Sequence, residues 1–334
     1  MLDRKLNLVC VPTSLHRLDR ASELLCTELW IKRDDLTGFA GGGNKGRKLE
    51  YLMADAIGQG ADTVVTHGAW QSNFIRQAGA ACRVLGLDFH ATAMEWPYPG
   101  RGRETKPSDW PSNPHIQGNQ ILDGWLGLDV QKLPDSDWNE LETQSHALAC
   151  RLRSEGRNVY EIPGGGSTGI GALGFVSAAQ ELLMQDATFD RIIVACGSGA
   201  TQAGLAYGIA RAGANTKVVG ICTDNEPELV DVLGSISSDL DGLLLTKLRM
   251  VQGDFDLRMD YCGKGYQVPT EESRDAIEML AKAEGIFLDP VYTSKAFAGL
   301  VDLAKNGELT GKTLFWHTGG FPGLFVEGYE PRLH

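Results

Sequence analysis

The stretch Gly41-Gly42-Gly43-Asn44-Lys45-Gly46-Arg47-Lys48 is a glycine triplet that ends in basic residues. Residues 29–35 before it have strand character, and apolar residues recur after it at helical spacing from residue 49 to residue 57. Lys45 is therefore predicted at or near a helix N-terminus, where the helix dipole disfavours an added proton. A lysine amine that attacks a carbonyl must be neutral, and this position or burial favours the neutral form. The alternative is that Lys45 is an ordinary exposed lysine on a solvated basic loop, as most lysines are exposed.

Length and composition restrict the class of protein. A chain of 334 residues with 43% hydrophobic content can bury a large core. It is also longer than a domain with a single hydrophobic core usually is. Two domains or subdomains are therefore predicted. The net charge of -12 and the pI near 5.1 oppose nucleic-acid binding, which needs a concentrated basic surface.

Cysteine usage and hydropathy indicate a cytoplasmic location. The seven cysteines are scattered, odd in number and never form a C-x-x-C pair, which argues against a zinc site and against a disulfide framework. Residues 1–10 lack the uninterrupted apolar run of a signal peptide, and no apolar stretch approaches the roughly 20 residues of a membrane span. We expect no bound metal, no membrane association and a reducing cytoplasm.

Strand-like and helix-like segments alternate along the chain, which predicts an α/β fold with largely parallel sheets. Three units have a strand, a polar turn and a helix in that order. Their predicted strands cover residues 62–68, 158–162 and 191–196, and their predicted helices cover residues 74–85, 172–184 and 202–212. Residues 96–114, rich in Pro, Gly, Arg and Trp, instead indicate a long irregular loop, either a surface excursion or a lid.

The turn Gly197-Ser198-Gly199-Ala200-Thr201-Gln202 is a candidate phosphate-binding site. It does not match the dinucleotide fingerprint, because Gln202 occupies the third glycine position, and it lacks the Gly-Lys-Ser/Thr of a P-loop. Small and hydroxyl-bearing residues between a strand and a helix can still hold one phosphate through backbone N–H groups and the hydroxyls of Ser198 and Thr201. A tight turn with a serine cap is the alternative.

A second turn favours a different class of enzyme. Gly165-Gly166-Ser167-Thr168-Gly169 matches G-x-S-x-G between a strand and a helix, and Asp289 and His317 follow in the order of an α/β-hydrolase triad. A serine hydrolase that uses Ser167, Asp289 and His317 is therefore an alternative hypothesis. It leaves the Lys45 loop and the Gly197 turn without a role.

The sequence combines three features that bind pyridoxal phosphate. They are a lysine placed to form an imine, a phosphate-binding turn far along the chain, and helices that start with polar residues. The matching motifs are Gly42-Gly43-Asn44-Lys45 with Arg47-Lys48-Leu49-Glu50-Tyr51-Leu52, Gln71-Ser72-Asn73, Thr201-Gln202-Ala203-Gly204, Asp289-Pro290-Val291-Tyr292 and His317-Thr318-Gly319-Gly320. Through them the chain, from about residue 12 to residue 320, resembles the pyridoxal-phosphate family of D-cysteine desulfhydrase, 1-aminocyclopropane-1-carboxylate deaminase and L-cysteate sulfo-lyase.

The resemblance implies the tryptophan synthase β-like fold, also called fold type II, with two open and mostly parallel α/β domains. Residues 1–48 and 161–334 would form a large cofactor-binding domain, and residues 49–160 a small domain that faces the substrate. The same resemblance implies a homodimer.

The resemblance also implies a role for each site residue. Lys45 would carry pyridoxal phosphate as an imine and serve as a base once the substrate amine displaces it. The phosphate would be held by Ser198, Gly199, Ala200 and Thr201, the pyridine 3-oxygen by Asn73, and the pyridine nitrogen would lie near Thr293 and Thr318. The substrate would lie beside Ser72, Asn73, Trp70 and Phe74, between Tyr266 and Tyr292. The implied reaction is β-elimination from a small amino acid, with pyruvate and ammonia as products.

Departures from the family pattern favour one substrate class. The cyclopropane deaminase has an acid directly after the tyrosine of Asp-Pro-Val-Tyr, whereas Thr293 occupies that position here. A neutral hydroxyl weakens the electron sink, so Thr293 favours simple β-elimination over opening of a cyclopropane ring. Phe74, where relatives carry a polar residue, makes this edge of the pocket more aromatic together with Trp70.

We expect D-cysteine, which releases sulfide, as the first choice of substrate. L-Cysteate, which releases sulfite, is the second choice, and the substrate of the cyclopropane deaminase is the third. A sulfonate needs a cationic clamp, for which Lys48 and Arg76 are the candidates. A non-catalytic protein that binds an amino acid would use similar helix starts and would not need Lys45.

Overall fold

The computed structural model describes residues 2–95 and 115–331. The strands are β1 (Leu15–Arg17), β2 (Glu28–Arg33), β3 (Thr63–Ala69), β4 (Asp88–Met94), β5 (Asp129–Leu133), β6 (Val159–Ile162), β7 (Arg191–Cys196), β8 (Lys217–Cys222), β9 (Asp256–Arg258) and β10 (Lys312–His317). The helices are α1 (Asp19–Leu25), α2 (Lys45–Gly58), α3 (Asn73–Leu85), α4 (Asn119–Trp125), α5 (Trp138–Ser154), α6 (Gly169–Gln185), α7 (Ala200–Arg211), α8 (Leu229–Leu244), α9 (Glu271–Glu284) and α10 (Thr293–Lys305). The predicted loop at residues 96–114 lies outside the described residues.

Two separate sheets organise the chain. The larger has the strand order β1-β2-β10-β7-β8-β9, in which only β1 runs antiparallel to its neighbour, and the smaller has the order β5-β4-β3-β6 with every pair parallel. The predicted α/β fold with two mostly parallel sheets is confirmed. All strands of the smaller sheet lie within residues 63–162, between the two segments that build the larger one. The division at residues 48–49 and 160–161 stays a prediction.

Helices cover both faces of the larger sheet, as a parallel sheet requires. Along β10, Leu314 and Trp316 pack into the core formed with α6, α7 and α8. Phe315, between them in sequence, packs into the opposite core formed with α1, α9 and α10, and its ring lies 5.1 Å from that of Phe297 between centroids. This alternation follows from the two-residue period of a strand. Within the described residues, no helix has the length and apolarity needed to cross a bilayer.

Helix α2 joins the two halves of the molecule. Leu49, Leu52 and Met53 on one side of the helix pack in the core of the smaller sheet, whereas Tyr51 on the other side packs in the core of the larger sheet. Lys45 is the first residue of α2. The amine predicted to do chemistry therefore starts a helix that lies between the two sheets.

A buried network of charges holds the first turn of α2. Arg47 pairs with Asp34 and with Glu181, each at 2.9 Å, and Lys32 pairs with Glu181 at 2.5 Å. Burial raises the pKa of the Glu181 carboxyl, but the hydrogen bonds and charges of Arg47 and Lys32 outweigh it and lower that pKa to about 2. The network ties α2 to the end of β2 and to α6.

Close backbone contact between α2 and α6 depends on a glycine. A Cβ atom at Gly174 in α6 would lie 2.3 Å from the Arg47 carbonyl oxygen and 3.0 Å from the Lys48 backbone nitrogen. Both neighbours are backbone atoms, which cannot rotate away as a side chain can. Any larger residue at this position must push α6 away from the helix that carries Lys45.

We predict that Gly174→Ala lowers the free energy of unfolding by about 1–3 kcal/mol, because overpacking forces backbone shifts. Gly234→Ala in α8 is the matched control, since its added Cβ would meet nothing within 4 Å. We expect this control to be neutral or to stabilise by less than about 1 kcal/mol, because alanine is the better helix former. Urea denaturation of both variants checks the pair, and equal effects would contradict the close contact.

Candidate active site

A cavity of about 740 Å³ lies where the carboxyl ends of strands from the two sheets face each other. Ligands of open parallel sheets bind at this edge. Segments that follow β3, β7, β8 and β10 reach the cavity wall, and α2 begins there. The sequence-predicted residues that line it are Lys45, Ser72, Asn73, Phe74, Ser198, Gly199, Thr201, Tyr266, Tyr292 and Thr318.

Lys45 reaches the cavity because the glycine loop turns sharply before α2. Gly42 has φ +79°, and a Cβ there would lie 2.0 Å from the Asp35 carbonyl oxygen, so only glycine fits. The Lys45 Nζ atom donates a hydrogen bond to Asn44 Oδ1 at 3.1 Å and lies 5.8 Å from the ring centroid of Tyr292.

Burial lowers the pKa of the Lys45 amine to about 8. The negative charge of Asp289 opposes this change, and the positive charge of Arg76 adds to it. The half-buried side chain is accessible from the cavity, while protein surrounds it on the other sides. About a tenth of the amine is therefore neutral at pH 7, far more than for an ordinary lysine, and nucleophilic attack on an aldehyde requires this neutral form.

The start of α3 presents Ser72 and Asn73 to the cavity. Ser72 Oγ caps the helix by accepting hydrogen bonds from the backbone N–H groups of Phe74 and Ile75, both at 3.2 Å, so its own proton remains to be donated. Asn73 Oδ1 accepts from Arg76 at 3.2 Å and from Asn119 Nδ2 at 3.0 Å. The amide nitrogen of Asn73 is then the donor available to a ligand.

The turn after β7 has the features of a phosphate site. Gly199 has φ +96° and precedes α7, whose first N–H groups have no partner within the helix. Thr201 Oγ1 accepts from Asn44 Nδ2 at 3.1 Å, and Ser167 Oγ donates to Ser198 Oγ at 2.7 Å, so both hydroxyls are held in place.

Lys48 adds a cation to this turn. It lines the cavity, and its Nζ atom donates to the Gly165 carbonyl oxygen at 3.0 Å, while a Cβ at Gly165 would lie 2.4 Å from Ser198 Oγ. Burial lowers the pKa of the Lys48 amine, and an anion placed in the turn would raise it again. The buried Thr223 Oγ1 in the cavity wall has no hydrogen-bond partner within the described residues. The start of α7 and the Lys48 amine fit a phosphate ester. The unpaired hydroxyl of Thr223 fits a ligand with further polar groups.

Tyr266 and Tyr292 face Lys45 as a pair. Their hydroxyl oxygens are 2.5 Å apart, and their rings meet edge to face with centroids 5.8 Å apart. Burial is the main cause that raises the pKa of each phenol, so both stay protonated at neutral pH. One hydroxyl donates to the other, which leaves one proton on the pair that can be passed to a ligand.

Three sequence-predicted residues are absent from the cavity wall. Thr293 is fully buried, and its hydroxyl donates to Asp289 Oδ1 at 2.6 Å while it accepts from the Asp289 backbone N–H at 2.7 Å. The contact of Thr293 with the pyridine nitrogen stays a prediction, and the hydroxyl-bearing residue Thr318 lines the cavity. Trp70 packs against the core of the smaller sheet with Lys132 over its ring, and the methyl of Ala200 is buried in the core of the larger sheet.

The hydrolase triad is not assembled. The hydroxyl of Ser167 is bonded to Ser198, and the two ring nitrogens of His317 are bonded to the Phe287 carbonyl oxygen and the Gly319 N–H. The Asp289 carboxylate accepts from the backbone N–H groups of residues 291, 292 and 293. No hydrogen bond links these three side chains to one another.

Several cavity residues were missed as site residues by the sequence reasoning. Lys48 was considered only as a clamp for a sulfonate, and Asn44, His67 and Thr223 were not considered at all. All four line the cavity. Asn44 and Lys48 flank Lys45 in the chain, so their position gave a usable signal, whereas Thr223 follows a strand without any motif. No cluster of metal-ligating side chains occurs in residues 2–95 and 115–331.

The chain matches the sequence profile described as "Pyridoxal-phosphate dependent enzyme" over residues 6–319. This chain belongs to the family of pyridoxal-phosphate-dependent enzymes. It is 39% identical to a D-cysteine desulfhydrase of Klebsiella pneumoniae (strain 342), over 98% of this chain and 97% of that protein. The predicted cofactor and the predicted enzyme class, a pyridoxal-phosphate-dependent lyase, are confirmed.

Solved structures agree with the family. This enzyme is similar to a crystal structure of a homologue of 1-aminocyclopropane-1-carboxylate deaminase, with 38% identity, a TM-score of 0.87, and 96% and 93% of the two chains covered. It also has the fold of a threonine deaminase from Solanum lycopersicum, with 15% identity, a TM-score of 0.62, and 93% and 80% of the two chains covered. The predicted fold type is confirmed. The individual site residues stay predictions.

We predict that Lys45→Ala removes the visible absorbance band of the lysine–cofactor imine and abolishes turnover. The exposed Lys305 at the end of α10 provides the control, and Lys305→Ala should keep both the band and the rate. Absorbance spectra of the two purified variants with added pyridoxal phosphate check this prediction. A Lys45→Ala protein with the wild-type band would show that another amine holds the cofactor.

Proposed function

We propose that this enzyme catalyses β-elimination on D-cysteine, with pyruvate, ammonia and sulfide as products. The observation that carries the proposal is the hydrogen-bonded pair Tyr266–Tyr292 opposite the Lys45 amine in one cavity. Bound pyridoxal phosphate supplies the electron sink that lowers the cost of removing the Cα proton. The side chains of this enzyme supply the remaining steps.

Lys45 is the residue that holds the cofactor and moves the Cα proton. Its amine, once free, would serve as the base beside the substrate. Its pKa of about 8 is close to the working pH, which is the condition for an efficient general base. Asn44, hydrogen-bonded to Lys45 Nζ at 3.1 Å, orients the amine.

Lys48, Ser198 and Thr201 are the residues we assign to the phosphate. Lys48 contributes charge, and the start of α7 contributes backbone N–H donors. Asn73 would donate from its amide nitrogen to the ring oxygen of the cofactor, since Arg76 and Asn119 occupy its amide oxygen. Ser72 donates its hydroxyl proton to the substrate carboxylate beside the N-terminus of α3.

The tyrosine pair serves the leaving group. A thiolate that departs from Cβ is a better leaving group when a donor protonates it, and buried phenols with raised pKa values still carry their protons. Tyr292 lies nearer to Lys45, and Tyr266 can replenish its proton through their 2.5 Å contact. This arrangement fits a small sulfur leaving group.

Two features argue against the competing substrates. Arg76 is buried behind Asn73 and does not line the cavity, and Lys48 lies at the phosphate turn, so neither predicted clamp is placed to bind a sulfonate. Position 293 is a threonine bonded to Asp289, where the cyclopropane deaminase pattern requires an acid near the ring nitrogen. We therefore propose D-cysteine as the substrate in preference to L-cysteate and to the cyclopropane amino acid.

We predict that, of D-cysteine, L-cysteine, L-cysteate, β-chloroalanine and 1-aminocyclopropane-1-carboxylate, D-cysteine has the highest kcat/KM among the natural compounds. Pyruvate and sulfide should appear in equal amounts. Parallel assays of pyruvate, 2-oxobutyrate, sulfide and sulfite separate the three reactions. A larger release of sulfite or 2-oxobutyrate would overturn the substrate assignment and leave the cofactor assignment intact.

We predict that Tyr266→Phe lowers kcat on D-cysteine by about 10²-fold with little change in KM, because loss of a general acid costs about this much. Tyr160→Phe is the matched control, since the Tyr160 hydroxyl is bonded to Asp55 in the small domain, away from the cavity. β-Chloroalanine, whose chloride needs no proton, should be affected far less by Tyr266→Phe. Equal losses on both substrates would argue against proton transfer by the pair.

The predicted homodimer stays a proposal from the resemblance, and the predicted cytoplasmic location stays a proposal from the cysteine pattern. The described cysteines are all free thiols, which is compatible with a reducing compartment.

A further inference from the structure

Lys295 in α10 is a fully buried lysine whose amine donates to three main-chain carbonyl oxygens. Its Nζ atom donates to the carbonyl oxygens of Thr223 at 3.1 Å, Cys262 at 2.9 Å and Gly265 at 2.6 Å. Three donors of one ammonium thus meet three acceptors from two separate segments. Thr223 follows β8, and the other two belong to the loop that carries Tyr266.

The position of Lys295 is electrostatically unfavourable. It is the third residue of α10, in the first turn of the helix, where the positive end of the dipole opposes a cation. Burial of the ammonium adds a further cost unless its hydrogen bonds offset it. The three carbonyl oxygens stabilise the charge in this place.

The loop that these oxygens belong to is under backbone strain. Gly263 has φ +61°, Gly265 has φ +116° and Gln267 has φ +65°, and the last is a left-handed conformation that residues with a Cβ rarely adopt. Strained backbone persists only where its surroundings hold it. Two further bonds hold the loop, from the Tyr266 N–H to Asp224 Oδ1 at 3.0 Å and from the Tyr329 hydroxyl to the Gln267 carbonyl oxygen at 2.6 Å.

The start of α10 connects the two tyrosines. Tyr292 is the residue directly before α10, and its side chain lies in the cavity. Lys295, three residues later, donates to the carbonyl oxygens of Cys262 and Gly265, in the loop segment directly before Tyr266. The start of α10 therefore places Tyr292 and also binds the loop that carries Tyr266. The hydroxyl oxygens of the two tyrosines are 2.5 Å apart.

We propose that Lys295 is a positioning residue that holds Tyr266 against Tyr292, and that its ammonium acts as a built-in monovalent cation for three main-chain carbonyl groups. The inference rests on the proposed role of the tyrosine pair. Rings of backbone carbonyl oxygens also bind free monovalent cations. Removal of the lysine side chain therefore creates a site that a small ammonium ion can occupy.

Two variants of the holoenzyme test this inference. Lys295→Ala leaves space at the carbonyl groups, and we expect kcat on D-cysteine to fall about tenfold or more with a small change in KM. Ammonium or methylammonium chloride should restore much of the loss, whereas tetramethylammonium chloride at equal ionic strength should not, because it has no N–H donor. Lys295→Met fills the space without charge, so it should lose as much activity and should not respond to any of these salts.

Hydrogen exchange supplies a readout that does not depend on catalysis. Amides of residues 262–267 should exchange faster in both variants, and ammonium should slow them again only in Lys295→Ala. If Lys295→Ala does not fold, the exchange and the kcat of Lys295→Met still decide the question. Unchanged exchange in that loop would overturn the inference.

A double-mutant cycle separates this inference from the proposed function. If Lys295 acts through Tyr266, Lys295→Ala in a Tyr266→Phe background should cause little further loss of kcat, whereas independent effects multiply. Multiplying losses would overturn the positioning role. A silent Tyr266→Phe variant would instead refute the role of the tyrosine pair, and the exchange data would still report whether Lys295 holds the loop.

Discussion

The chemistry proposed for this enzyme depends on one lysine amine that must lose its proton and still reach a ligand. Burial of Lys45 at the start of α2 lowers its pKa to about 8, and the cavity in front of it keeps the nitrogen accessible. The charge of Asp289 limits how far the pKa falls. A deeper position would give a more neutral amine without access, and an exposed position would give access without a neutral amine.

The support for this amine lies behind it, away from the cavity. Arg47 is two residues after Lys45, and its buried ion pairs with Asp34 and Glu181 attach α2 to the larger sheet and to α6. Taking such charges out of water is expensive, and loss of one partner leaves the others unpaired. The close backbone contact at Gly174 fixes the same helix from a second direction. The first turn of α2 therefore has little freedom, although the Lys45 side chain itself can move.

On the opposite wall of the cavity, buried charged groups likewise fix the backbone near Tyr292 and Tyr266. Tyr292 is placed by the start of α10, where the Asp289 carboxylate accepts three backbone N–H groups and so fixes the turn. Tyr266 lies on a strained loop without regular secondary structure, and Lys295 bonds two carbonyl oxygens of that loop, next to the bonds with Asp224 and Tyr329. Both walls of the site thus use buried charge to orient a polar side chain.

Much of this could be predicted from the sequence, because the deciding signals are local. A glycine loop before a helix placed Lys45, and the order of strands, turns and helices gave parallel sheets, since hydrophobic period and turn chemistry are properties of neighbouring residues. Side-chain direction was less predictable. The hydroxyl of Thr293, predicted near the pyridine nitrogen, is bonded to the buried Asp289 carboxylate, a partner that no residue pattern identified. Trp70 likewise packs into the core of the smaller sheet, where burial of its large apolar ring is favourable.

The sequence by itself determined the fold class and the cofactor, and it identified the lysine proposed to bear that cofactor, because each depends on residue types at fixed spacing. Only the tertiary structure decided which residues share the cavity wall with Lys45. Lys48, Thr223 and the tyrosine pair come from segments far apart in the chain. Their meeting depends on how two sheets pack around α2, and on buried charges such as Lys295 whose partners are main-chain oxygens. Every residue carries such an oxygen, so no pattern of residue types in the sequence identifies the partners of that lysine.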